Sequence, residues 1–151
     1  MIQRIQSLYL MVVAVMLTIM LFTPLATMTT PIPGQDAMFD VWGIHLAHSQ
    51  DVPLIYFGVL VGLAAALSLA IVMLYKKRKV QLQLCYALEI LLIGVLVFEI
   101  FYGYQIYTIE DYTTDFSPLL LLPVLAIPLT WLASRAIIKD IALVSSYDRM
   151  R

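Results

Sequence analysis

The chain reads as an all-α membrane protein with four transmembrane helices, and three observations lead there. Apolar residues make up 62% of its 151 residues and charged ones only 13%, against roughly half and a quarter in soluble domains. The apolar residues gather in four runs, each near or above the ~20 residues that cross a hydrocarbon core. All nine Lys and Arg sit at three places, Arg4, Lys76 to Lys79, and Arg135 onward. A chain this short cannot bury so much apolar surface by folding alone. Lipid is the expected solvent, and residues 1–151 are expected to form one domain.

The first span is read over about 7–28, after the single charge of Arg4. A cleaved signal peptide has an apolar core of only about 7–15 residues and a small-x-small cleavage site. This run is longer and ends in Pro24-Leu25-Ala26-Thr27, so a retained helix is expected. Residues 29–52 are polar, with Asp36, Asp40 and Asp51 and no Lys or Arg. Pro33-Gly34 is a turn signal flanked by the strand formers Met38, Phe39, Val41 and Trp42, which predicts a short β-hairpin in this outer loop. His45, His48 and Asp51 are ordinary metal-ligand types, but they share one side only on a helix and have no fourth partner. A solvated loop without metal is the expectation.

The second span is read over about 53–75. Gly58, Gly62, Ala66 and Ala70 recur every fourth residue, and such a face lets helix backbones approach closely in lipid. The expected use is packing within this bundle, with a homo-oligomer face as the alternative. A bulky residue at Gly62 is then expected to hold the helices apart. Lys76, Lys77, Arg78 and Lys79 allow only a tight turn. This cluster is expected to set orientation, with binding of anionic lipid headgroups as a further role.

The third span, about 80–107, ends in the aromatic belt Phe98, Phe101, Tyr102, Tyr104 and Tyr107. Glu110, Asp111 and Asp115 follow in a second outer loop. Ser117-Pro118 reads as a helix cap and first position. The fourth span is read over about 118–138, bent by Pro123 and Pro128, with a cytoplasmic tail at 139–151 lying along the membrane surface. Both termini and the Lys76–Lys79 hinge then fall on one side, as the positive-inside rule requires.

Glu89 and Glu99 are the ionisable residues well inside an apolar run. They are expected on a packed seam with Cys85, Leu92, Leu96 and Gly103, spaced alternately by four and three. Glu89 is expected to meet Arg4 or Arg135, and Glu99 the tyrosine hydroxyls. A structural role is favoured over a proton or cation path, since ten residues of helix separate them by about 15 Å and only Thr18, Ser68 and Thr130 offer polar groups between. No enzyme motif is present, so no catalytic residue, cofactor or metal is expected, and no nucleic-acid partner. The favoured function is a non-enzymatic scaffold or accessory subunit acting by binding. The alternative is a small proton- or cation-coupled transporter using Glu89 and Glu99.

Three stretches carry a resemblance. Arg4-Ile5-Gln6-Ser7-Leu8-Tyr9-Leu10 at the start is one. Tyr75-Lys76-Lys77-Arg78-Lys79 with Gln81 to Cys85 at the centre is the second. Leu132 to Asp140, Leu-Ala-Ser-Arg-Ala-Ile-Ile-Lys-Asp, with Asp148-Arg149-Met150-Arg151 is the third. Together they resemble a family of uncharacterised bacterial membrane proteins, domain of unknown function 4293. After Asp140 the family pattern tends to be charged, whereas this chain has Ile141-Ala142. The resemblance implies four spans in the bacterial inner membrane and carries no activity, ligand or catalytic residue. The expected partners are the bilayer and either a second copy or another membrane protein.

The topology is open to a direct check. A cysteine at Gln35 should react with an impermeant thiol reagent added outside, and one at Lys77 should not; the reverse pattern would overturn the orientation.

Overall fold

The computed structural model describes residues 2–30, 36–46, 51–74, 77–108 and 113–149. Four long helices dominate: α1 (Ile2–Phe22), α2 (Ile55–Met73), α3 (Arg78–Tyr107) and α4 (Leu122–Arg149), the last entered through a 3-10 turn at Pro118–Leu121. Each helix packs on the next and α4 returns to α1, giving a closed four-helix ring. All four contain stretches long and apolar enough to cross a membrane, yet only 28–39% of the residues in those stretches are buried. The exposed remainder is apolar as well, with Val15, Ile19, Leu63, Ile93, Val97 and Leu125 among it.

The all-α expectation needs correction, because a five-stranded antiparallel sheet closes one end of the bundle. Its strands are β1 (Ala26–Thr29), β2 (Ala37–Phe39), β3 (Gly43–Leu46), β4 (Val52–Pro53) and β5 (Thr113–Phe116), in the order β4-β3-β2-β1-β5. Four strands come from the first long loop and one from the second. Ala26 lies opposite Phe39 on one side and Phe116 on the other. Alternation sets the two faces of the sheet. Ala26, Met28, Ala37 and Phe39 are at most 1% exposed and join the helix core, while Thr27 and Met38 point away. Thr29 and Thr113 bond through their hydroxyls at 2.8 Å, and the Thr113 hydroxyl also reaches the Thr29 carbonyl at 3.0 Å.

The expected hairpin is therefore only part of a larger sheet. Pro33-Gly34 lies outside the described residues. The tight turn that is seen is Asp40 to Gly43, where one Asp40 carboxylate oxygen accepts from the amides of Trp42 and Gly43, each at 2.8 Å. An aspartate that captures the amides two and three residues on replaces a ladder with a turn. Val41 and Trp42 leave the strand for that reason. Gly43 is required, since a Cβ there would stand 2.8 Å from the Val52 carbonyl oxygen.

The helix boundaries differ from the expected spans at both ends. α1 stops at Phe22, where Pro24 cannot continue the ladder, and Ala26–Thr29 is strand instead of span. The expected tail is a continuation of α4 to Arg149. Pro123 falls at the second residue of α4, where its missing amide costs nothing, and only Pro128 is interior.

On α3 the buried positions are Gln81, Cys85, Leu88, Leu92, Val95, Glu99 and Ile106. They run by fours and threes, but the seam is turned from the expected one. Glu89, Leu96 and Gly103 lie on its flank and are partly exposed. Of the expected belt, Phe98 stacks on Phe57 of α2 and Tyr102 lies tilted against it, at ring separations of 6.3 Å each, and Phe101 meets Tyr102 edge-on at 5.3 Å.

The small-residue face on α2 also serves differently. A Cβ on Gly58 would stand 2.6 Å from the ring of Trp42, whose indole nitrogen donates to the Leu21 carbonyl at 3.0 Å. Gly58 is thus a slot for a tryptophan from the sheet's turn, not for a helix. A Cβ on Gly62 meets nothing within 4 Å, and Ala66 and Ala70 are exposed. In a Trp131→Phe background, Gly58→Leu should therefore shift Trp42 fluorescence and destabilise by roughly 1–3 kcal/mol, the usual overpacking cost. Gly62→Leu should leave thermal stability in detergent unchanged. Equal losses from both would show that α2 is turned the other way.

Candidate functional site

Burial on the seam puts Glu99 in an unusual position. It is 3% exposed, and neither carboxylate oxygen has a hydrogen-bond partner. A cavity of about 470 Å³ lies against it. Leu96, Ile100 and Gly103 of α3 form one wall, Leu120 and Val124 another, and Phe116 of β5 closes the sheet end. Tyr104 and Tyr107 stand at the mouth, each 70% exposed. The expected bonds from tyrosine hydroxyls to Glu99 are not formed. A buried polar group without a partner forfeits the hydrogen bonds it had in water, and for a charge the cost is larger still. The geometry is that of a binding pocket with apolar walls and one acceptor at the floor.

Glu89 is placed differently. It is partly buried and leaves Oε1 buried and unpartnered, near Ser134 of α4, whose hydroxyl donates to the Trp131 carbonyl at 2.8 Å. Arg135 is not its partner: the guanidinium lies 4.5 Å from the centre of the Trp131 ring, on the exposed side of α4. A helical residue next to a buried one is rotated by about 100°, so Ser134 faces inward and Arg135 cannot. The Arg4 side chain lies outside the described residues.

Nothing polar joins the two glutamates among the described residues. Leu92 and Val95 lie between them on the buried seam of α3, in one core with Val61 and Ala64 of α2, Val13 and Leu17 of α1, and Ala126 of α4, all fully buried. The hydroxyls of Thr18, Ser68 and Thr130 donate to the Ala14, Ala65 and Ala126 carbonyls of their own helices. None is turned toward a neighbour.

At the opposite end, Arg78 pairs with Asp140 at 3.2 Å, while Lys77 and Lys79 are exposed. With Val80, Ile141 and Val144 these three bases line a second cavity of about 520 Å³. Lys76 lies outside the described residues. Gln81, buried on the same turn, reaches the Ile71 carbonyl at 3.3 Å and ties α3 to α2.

His45 stands on β3, not on a helix, so the three-residue spacing to His48 has no helical meaning; His48 itself lies outside the described residues. The His45 ring is held between two carboxylates, Nε2 3.3 Å from Asp40 and Nδ1 3.2 Å from Asp51. A neutral imidazole has one donor, and two facing acceptors favour the doubly protonated form. The bond to Asp51, with the charges of Asp40 and Asp51, raises the pKa above the usual histidine value despite a smaller opposing effect of burial. Both ring nitrogens are occupied. Among the described residues no three His, Cys, Asp or Glu side chains form a metal-type cluster.

The sequence pointed to Glu99 and Glu89, but not to what surrounds them. Phe116, Leu120 and Val124 come from beyond the second loop, and only the pairing of β5 with β1 brings Phe116 over Gly103. The alternation Thr113-Thr114-Asp115-Phe116 is the faint signal that this loop holds a strand.

A family model described as "Domain of unknown function (DUF4293)" matches residues 2–150. No curated protein matches the chain.

The His45 arrangement has a consequence for pH. A pKa raised on folding contributes stability below the unfolded value, near 6.5, and the contribution is lost as pH rises through the folded value. An NMR titration of His45 should show a midpoint above 6.5. Amide exchange at Ile44, corrected for its intrinsic rate, should quicken past that midpoint, and His45→Gln should abolish the step. A midpoint at or below the ordinary value would show the Asp40–His45–Asp51 contact is not formed in solution.

Proposed function

The chain belongs to the DUF4293 family, and we propose that it is an integral membrane protein that acts by binding, as a scaffold or accessory subunit without a catalytic step. The four helices cross a bilayer, with the sheet outside and the Lys76–Lys79 hinge and both termini in the cytoplasm. The apolar exterior of the bundle supports insertion. The confinement of all Lys and Arg to one side supports the orientation, and a bacterial inner membrane fits it.

Glu99 carries the binding reading. An unpartnered carboxylate under an apolar cavity is an incomplete interaction, and a ligand or partner donor completes it. The transport reading draws less support. A proton path between Glu99 and Glu89 would have to pass the buried Leu92 and Val95, and the hydroxyls of Thr18, Ser68 and Thr130 are all bonded to their own helices.

Liposomes holding the purified protein should dissipate an imposed pH gradient no faster than empty ones. Gently solubilised membranes should yield the protein with a bound partner or ligand that Glu99→Leu loses. Flux that vanishes in a Glu99→Gln protein of unchanged Tm would overturn the binding reading in favour of transport.

A further inference from the structure

We propose that the Glu99 cavity takes a lipophilic cation, a protonated amine or onium group carried on an apolar body. This rests on the reading of the chain as a membrane binding protein and names what it binds. Three observations lead to the class of ligand.

The first is that, among the described residues, no cation of the chain meets Glu99. No Lys or Arg occurs from 5 to 75 or from 80 to 134. His45 is already held between Asp40 and Asp51. A positive group carried by a ligand would complete the pair. The second is the shape and lining of the cavity. Its volume of about 470 Å³ falls within the range of small-molecule sites, and the walls of Leu96, Ile100, Leu120 and Val124 reward an apolar body. The aromatic rings of Tyr104 and Tyr107, each 70% exposed, favour a cation during entry. The third is the donor set. One carboxylate without a second oxygen ligand does not satisfy a hard divalent metal, which takes six or more oxygens. A neutral alcohol donates one hydrogen bond and leaves the charge uncompensated. An ammonium or phosphonium compensates it.

The cavity lies on the outer half of the span in the proposed orientation, and its mouth faces the bilayer between α3 and α4. Amphiphilic cations partition into that region of a membrane, headgroup outward. Entry is therefore lateral, with the apolar body following the charge.

Binding of radiolabelled tetraphenylphosphonium to the full-length protein in lipid nanodiscs tests this. Saturable binding is expected, with competition by dodecylamine and not by dodecanol. Glu99→Gln should weaken it by about thirtyfold or more, the loss on removing one partner of a buried charge pair. Glu99→Asp should keep much of it, and Glu89→Gln should leave it unchanged. Gly103→Leu should block it by filling the cavity while leaving the carboxylate in place. Equal competition by dodecanol, measured on the unaltered protein, overturns the proposal even if the Glu99 variants fail to fold. So does unchanged affinity in a folded Glu99→Gln protein. Absence of cation binding together with a second copy cross-linked at Leu120 overturns the ligand class and leaves the binding reading standing. Cation binding coupled to proton-driven uptake into liposomes upholds the ligand class and overturns the reading of binding without transport.

Discussion

The antiparallel pairing of β1 with β5 is the contact on which the architecture depends. Without it the two helical hairpins, α1–α2 and α3–α4, meet through apolar side chains and, away from the sheet, through the Gln81 amide on the Ile71 carbonyl. Between helices in lipid there is little hydrophobic driving force, because the tails are as apolar as the side chains. Hydrogen bonds between elements 84 residues apart supply what apolar contact alone does not, a fixed relation between the hairpins. The pairing also settles the backbone. Each loop leaves a helix with free amides and carbonyls, and joining both loops in one sheet satisfies them mutually. Met28 and Phe39 then fall on the bundle end as a continuation of its core.

That contact was also the least legible feature. Hydropathy marks a span through twenty residues acting together, whereas β1 and β5 are four residues each and carry no local sign of a distant partner. Gly58 and Gly62 show the same limit at another scale. Their spacing is equally consistent with a helix neighbour and with a slot for a loop side chain, and only the turn at Asp40 decides by delivering Trp42. The seam on α3 is ambiguous in a more formal way. Two heptad registers share Cys85, Leu92 and Glu99, one passing through Glu89 and Leu96 and the other through Leu88 and Val95. Polar residues bias a sequence reading to the first. Packing selects the second, because leucine and valine fill an interior that a lone glutamate does not. Glu99, common to both, was legible; the surroundings of Glu89 were not, because α4 turns Ser134 inward and leaves Arg135 on its exposed side.

The two glutamates therefore occupy chemically different places despite similar sequence settings. Glu89 sits on the flank, beside a hydroxyl and within the half of the bundle that holds Gln6, Gln81 and Ser134. Its environment absorbs part of its polarity. Glu99 sits on the seam among aliphatic and aromatic side chains and has no such relief. A residue tolerated for structure alone ought to resemble Glu89. The cost of Glu99 argues for a use, since replacing it by leucine would improve the core at no evident loss to the fold.

The isolation of Glu99 follows from the same segregation of charge that would orient the chain. Lys and Arg confined to Arg4, the 76–79 hinge and the segment from Arg135 leave the sheet end of the bundle with carboxylates and no Lys or Arg to meet them. Asp40 and Asp51 on the sheet are served by His45 and by water. Glu99, below the sheet and away from water, is served by neither. In the proposed orientation, a carboxylate set deep at that end is one that no Lys or Arg of the chain is placed to meet. The cavity beside it, walled by residues from both hairpins and closed by Phe116, exists only once β5 has paired with β1. The contact that joins the two loops and the cavity beside Glu99 are in this sense one feature of the fold.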